Sequence, residues 1–162
     1  MIRLSPILVV FLLGAALLSG CGEGGAEEGA RVTVYVSAPM SGPEMEAGRQ
    51  LCHGARAEAR RTGEVEGLEL VVVCLDATEG DGRWTLAQVG ANARRATEDS
   101  TAVAYVGEPD PQARKQSQPI VDAAGIAELG GVGGDEAVEA VVGAIREGDA
   151  AEPRQAVFEA EG

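Results

Sequence analysis

Few residues of this chain could make or break a covalent bond. His53 is the single histidine, and it falls inside a helical stretch beside Cys52. No Ser-His-Asp constellation forms around it. Neither Cys52 nor Cys74 has the context of an activated thiolate. One histidine, with no carboxylate cluster at ligand spacing, leaves no metal set. The carboxylates are many but scatter over solvent faces. The expectation is a protein that is not an enzyme and needs no cofactor. The chemistry left is non-covalent. Three segments hold polar and small residues between an apolar run and a helical one: Ser41-Gly42-Pro43, Asp76 to Gly82, and Gly107 to Gln112. Free N–H groups and the positive dipole end of a helix start suit a carboxylate ligand. In the third segment Asp110 fits an N-cap and Pro111 the first helical position. A later run, Gly130 to Gly134, follows a weak strand and opens a helix, as a phosphate loop would. It is not G-x-G-x-x-G and no Lys-Ser/Thr follows, so it reads as a flexible connection.

The elements that must position these loops alternate. "RVTVYVSA" is a strand rich in β-branched residues, closed by the turn at Gly42-Pro43. "EMEAGRQLCHGARAEARRTG" has helical spacing at Met45, Leu51, Cys52, Ala55 and Ala59, and Gly63 stops it. "LELVVVCLDA" is a continuous apolar run, the mark of a strand covered on both faces. "TEGDG" is a loop, and a second helix is predicted from Arg83 to Asp99. "TAVAYVGE" is a third strand. Asp110 to Gly125 is a third helix, with a kink or a late start expected at Pro119. "IAEL" is a weak fourth strand. "DEAVEAVVGAIREG" is amphipathic, with Ala137, Val138, Val141, Val142 and Ile145 inward. The last residues are a short helix or a frayed tail. Strands alternating with helices imply an α/β fold, a parallel sheet with helices on both faces in three layers.

The chain has 162 residues and a formal net charge of −13. That charge disfavours nucleic acid and anionic lipid as partners. Arg3 precedes the apolar run "ILVVFLLGAALL", which is short for a membrane span and fits a signal peptide. Leu18-Ser19-Gly20-Cys21 reads as a lipobox, with Cys21 the lipid acceptor; an uncleaved anchor helix is the alternative. The predicted divisions are a lipoprotein signal peptide over 1–20, an acidic Gly-rich linker over 21–30, and one lobe over 31–160. A lipid on Cys21 would hold the domain at the extracytoplasmic face of a cell membrane without spanning it. In an exported domain Cys52 and Cys74 can form a disulfide, with two buried free thiols as the alternative.

"VTVYVSAPMSGP", "LDATEGD", "ANARRATEDSTAVAYVGE" and "QSQPIVDAAGI" together resemble the first lobe of the substrate-binding lipoproteins of branched-chain amino acid ABC transporters. The resemblance covers about residues 31 to 129. It implies a type I periplasmic-binding fold, in which two α/β lobes close on an amino acid. It also implies an ABC permease, or a second lobe supplied separately, as partner. Two departures stand out. The family is more than twice this length; Gly134 to Phe158 is similar to its closing helices, so the chain reads as a member whose middle is missing. The loops also differ. Pro111 falls where the family has a hydroxyl-bearing residue, and Gly130 to Gly134 replaces a stretch with small and hydroxyl residues. The contacts that remain for an amino acid are Ser41, Asp76, Asp110, and the backbone N–H groups of Gln112, Ala113, Gly133 and Gly134. Two functions follow as expectations: non-covalent amino-acid capture, weakened by a one-sided cleft, or a protein-interaction module derived from such a lobe.

Overall fold

The computed structural model of the protein describes residues 30–161. The predicted signal segment, Cys21 and the linker up to residue 29 lie outside them. In chain order the elements are β1 (Arg31–Ala38), α1 (Met45–Thr62), β2 (Glu64–Val65), β3 (Leu68–Asp76), β4 (Thr78–Glu79), β5 (Arg83–Trp84), α2 (Leu86–Thr97), β6 (Ala102–Val106), α3 (Pro111–Asp122), β7 (Ala127–Glu128), α4 (Gly134–Glu147) and α5 (Pro153–Glu161). No helix among them is long and apolar enough to cross a membrane.

The main sheet has the order β2-β3-β1-β6-β7. β1 pairs in parallel with β3 and β6, and β6 with β7; only the short β2 runs antiparallel, against the start of β3. β1 lies at the centre, and every residue from Val32 to Ala38 is buried. Its alternation divides the core. Val32, Val34 and Val36 pack with α1, α4 and α5 around Ala55, Val138, Val141, Ile145 and Val157. Tyr35 faces the other way, with Ala93 and Ala96 of α2 and Val121 of α3. Helices thus cover both faces, as the alternating pattern predicts. Each fully buried Val or Ile contributes roughly 2 kcal/mol through the apolar surface it removes from water.

α1 and α4 pack closely because of one residue. A Cβ on Gly134 would lie 1.9 Å from the Leu51 carbonyl oxygen, so only glycine lets the start of α4 meet α1 there. On its other side α1 is fastened covalently. Cys52 and Cys74 form a disulfide that joins the helix to β3, with their Cα atoms 6.0 Å apart. α5 is a true helix rather than a frayed tail. Val157 is fully buried, and the Arg154 guanidinium donates to the Ala102 and Asp99 carbonyl oxygens (2.7 and 2.8 Å).

Three local expectations are corrected. The "TEGDG" segment is not a plain loop: β4 and β5 form a small antiparallel hairpin around it, Thr78 opposite Trp84 and Glu79 opposite Arg83. α2 consequently starts at Leu86, not Arg83. Thr85 sets that start, its hydroxyl accepting from the Gln88 N–H at 3.1 Å; a β-branched hydroxyl residue caps better than it continues a helix. Of the kink or late start expected at Pro119, the late start is ruled out: α3 runs from Pro111 through Pro119 to Asp122. Pro119 is exposed, so water can satisfy the carbonyl it leaves without a partner.

The bridge spans 22 residues of sequence. Closing a loop of that size stabilises the domain by on the order of 3 kcal/mol. Replacing both cysteines by serine should lower the melting temperature by roughly 10 °C, measured by circular dichroism. An unchanged melting temperature would show that the bridge adds nothing to the fold.

Candidate functional site

All parallel strands point their carboxyl ends to one edge of the sheet, and four loops meet there. Open α/β sheets hold ligands at this edge. The loops after β1 and β3 are locked to each other. Gly42 and Gly82 touch backbone to backbone: a Cβ on Gly42 would lie 2.1 Å from the Gly82 carbonyl oxygen. Both have positive φ, +74° and +77°, which a residue with a side chain adopts only with strain. Ser41 Oγ lies 2.6 Å from Thr78 Oγ1. Asp76 Oδ1 accepts from the Met40 N–H (3.0 Å), the Thr78 N–H (2.9 Å) and the Thr78 hydroxyl (2.6 Å). Partial burial acts to raise the Asp76 pKa, but the hydrogen bonds from Thr78, Met40 and Ser41 outweigh it and hold the carboxyl below its ordinary value.

The loop after β6 is tied from within. Asp110 caps α3: its Oδ1 accepts from the Gln112 N–H at 2.7 Å. Its Oδ2 accepts from the Trp84 indole N–H at 3.2 Å. Ala113 is fully buried with Ala77 and Val89, and Trp84 packs on the same cluster. The Gln112 amide is therefore engaged and the Ala113 amide has no path to solvent. At the start of α4 the Gly133 N–H donates to Glu136 Oε2 at 3.1 Å, and Gly134 is buried against α1. The structure thus brings Ser41, Asp76, Asp110, Gln112, Ala113, Gly133 and Gly134 to one edge. It also gives each carboxylate, hydroxyl or named amide among them an internal partner or a buried position.

Sequence reading missed the polar network beneath this edge. Glu108, two residues past the end of β6, is fully buried. Its carboxylate accepts from the Ser37 hydroxyl of β1 (2.6 Å), the Tyr105 hydroxyl of β6 (3.2 Å) and the Ser117 hydroxyl of α3 (3.2 Å). Asn92 of α2 donates to Ser37 Oγ (2.9 Å) and to the Asp76 carbonyl oxygen (3.0 Å). Arg114 closes the outer side, donating to the Glu108 and Pro109 carbonyl oxygens (3.1 and 3.2 Å). Its stem lies against Gly130, where a Cβ would be 2.4 Å from Arg114 Cδ. Glu128 of β7 completes the group: Ser117 Oγ lies 3.4 Å from its Oε1, and its buried Oε2 has no partner among the described residues. Burial, then the Glu108 and Asp122 carboxyls, push the Glu128 pKa up to about 7. Burial also holds the Tyr105 phenol well above its usual value. The available signal was a lone glutamate closing the apolar run of the third strand.

Between the starts of α1 and α4 the edge opens into a hollow of about 490 Å³, lined by Leu51, Gly107, Pro109, Val132 and the backbone of Gly131 and Gly133, with Gln50 and Asp135 on its rim. Val132 is 43% exposed there. Among the described residues no group of three or more His, Cys, Asp and Glu side chains could hold a metal ion.

No family model matches the sequence, and no curated protein matches it. Solved structures do. The leucine-binding protein LivK of Thermotoga maritima superposes with a TM-score of 0.53 and 23% identity over 61% of this chain and 27% of that one. The branched-chain amino acid transporter substrate-binding protein LivJ of Streptococcus pneumoniae, in complex with isoleucine, gives 0.54 and 17% over 62% of this chain and 28% of that one. An ABC-transporter solute-binding protein from R. palustris in complex with 4-hydroxybenzoate gives 0.54 and 18% over 82% of this chain and 44% of that one. The fold is that of type I periplasmic binding proteins, and the domain corresponds to a single lobe. The chain spans less than half the length of each of these neighbours.

The pH response of the network carries a definite sign. The Glu128 pKa in the folded protein lies above its ordinary 4.5. Folding therefore favours its protonated form. Its contribution to stability is fully present below about 4.5 and is lost as pH rises through about 7. Glu128→Gln should flatten the stability profile between those values and stabilise the protein above neutral pH, by less than the full shift would give because the group is partly solvated. Urea denaturation at a series of pH values reads this out; parallel profiles for both proteins would contradict it.

Proposed function

We propose that this chain is a lipid-anchored extracytoplasmic binding-protein lobe of an amino-acid-type ABC transport system, and that it presents one wall of a ligand cleft. The observation that carries the reading is the open hollow at the carboxyl edge of the parallel sheet, lined by Leu51, Pro109 and Val132 beside the backbone of Gly131 and Gly133. Its apolar side chains stand beside backbone groups and the Gln50 and Asp135 side chains, a mixed lining that a small molecule with an apolar body and a polar end can fit. Isoleucine and 4-hydroxybenzoate, the ligands of two structural neighbours, share a carboxylate on an apolar body. A ligand of that kind suits an apolar hollow beside helix N-termini. The lipid anchor is supported by the Leu18-Ser19-Gly20-Cys21 sequence and its apolar lead. Its role would be to keep the lobe within reach of a membrane permease. The reaction involved is non-covalent capture and release.

One wall desolvates only part of a ligand, so affinity should be weak. A second reading, a protein-interaction module that has given up small-molecule capture, is favoured by one observation. The Asp110, Gln112 and Gly133 groups that could meet a ligand already bond within the chain.

Calorimetry separates the two. Titration with leucine, isoleucine, valine and 4-hydroxybenzoate should give saturable heat in the millimolar range for at least one of them, and Val132→Asp should abolish it. No heat at millimolar ligand rules out stand-alone capture and leaves the interaction module.

A further inference from the structure

The face of the sheet edge away from the hollow carries a second feature. β3 is an edge strand for most of its length. β2 pairs with it only at Leu68 and Glu69. The Glu69 N–H donates to the Ala30 carbonyl oxygen on the β1 side, and the Leu70 N–H to the Gly63 carbonyl oxygen on the other. Alternation along the strand turns the N–H and C=O groups of Val72 and Cys74 to the outer edge, and among the described residues no strand of the sheet stands there. An apolar strand with open backbone groups is a template for a further strand, and natural proteins usually shield such an edge.

Beside that edge α1 presents a row of basic residues. Arg49, His53, Arg56 and Arg60 recur at intervals of four, three and four, which is one stripe of a helix. All four are exposed. With Met40 and the Cys52–Cys74 bridge they line a groove of about 540 Å³. A second hollow of about 390 Å³ continues it past Arg56 and Arg60 to the backbone of Leu70 to Val72. Among the described residues none of the three arginines has a carboxylate within 4.0 Å; the ion pairs there belong to Arg61, with Glu58 and Glu139. Among the described residues Glu69 is the one acid that lines the groove, at its lower end. In a chain of net charge −13, an unneutralised basic row over an open strand edge is out of keeping with the rest of the composition.

We propose that the β3 edge and the Arg49–Arg60 stripe form a docking surface for an extended acidic segment of a partner protein, which adds to the sheet as a further strand. Backbone hydrogen bonds to Val72 and Cys74 would give the segment its register. Alternate side chains would face the stripe, so carboxylates at every second position fit it. The charge complementarity also selects against a second copy of this chain, whose edge carries the same arginines. The inference stands apart from the ligand hollow and does not depend on it.

The test uses the full chain in detergent, with the peptide Glu-Val-Glu-Val-Glu-Val as probe and Lys-Val-Lys-Val-Lys-Val as control. Amide signals of Val72 and Cys74 are followed by NMR, together with their hydrogen exchange. The acidic peptide should shift and protect both amides, more weakly as salt is raised, while the lysine peptide should leave them unchanged. Arg56→Glu with Arg60→Glu should weaken the acidic peptide by about tenfold or more, with the circular dichroism spectrum unaltered. Four outcomes would overturn the proposal. The amides do not respond at millimolar peptide, so the arginines merely guard the edge. Only the arginine side chains respond, which is simple anion binding. Both amides are already protected in the free chain, which makes its own acidic linker the occupant. Or sedimentation shows a dimer that the peptide does not dissociate.

Discussion

The carboxyl edge of this parallel sheet depends on a carboxylate that never reaches its open side. Glu108 lies two residues past the end of β6 and turns inward. Three hydroxyls, from Ser37, Tyr105 and Ser117, donate to it from β1, β6 and α3. Burying an ionisable group is costly unless its hydrogen bonds are made. Once they are made, the position is strongly fixed. The tie sets where β6 ends, where the Gly107 to Asp110 loop begins and how α3 is hung. Asn92 passes the same constraint to α2 and to the carbonyl of Asp76. Arg114 then seals the loops from outside.

The consequence for function is that polar groups at the edge are spent internally. Asp76 fastens the first two loops, Asp110 caps α3 and holds Trp84, and Glu136 takes the Gly133 amide. What remains open is apolar and backbone surface, in a hollow that one lobe leaves uncovered. A surface of that kind can contribute burial and shape to a closed site. By itself it supplies little orientation for a polar ligand.

The architecture was largely legible in the sequence because it follows from periodicity. β-branched and continuous apolar runs marked β1, β3 and β6, and the apolar stripe of α4 predicted its inward residues, all five of which are buried. The resemblance to a binding-protein lobe rested on the order of strand, loop and helix, and superposition on structures of that fold agrees with it. For Cys52 and Cys74 the sequence left a disulfide and two buried free thiols both open, and the folded chain joins them. The β4–β5 hairpin escaped because its strands are two residues long, too short for any pattern. The Glu108 network escaped for a different reason. Its members lie far apart in sequence, from Ser37 to Glu128, and only the folded sheet brings them together. The N-cap role of Asp110 was visible, whereas its bond to Trp84 needed the hairpin that sequence could not show.

The central claim is that Glu108 holds the carboxyl edge of the sheet in place. Urea denaturation of Glu108→Ala at neutral pH tests it most directly. Removing the carboxylate leaves buried hydroxyls without their acceptor, and the account predicts a loss of about 2 kcal/mol or more. A variant as stable as the original, or more stable, would contradict it: the network would then be a consequence of the fold and not its support.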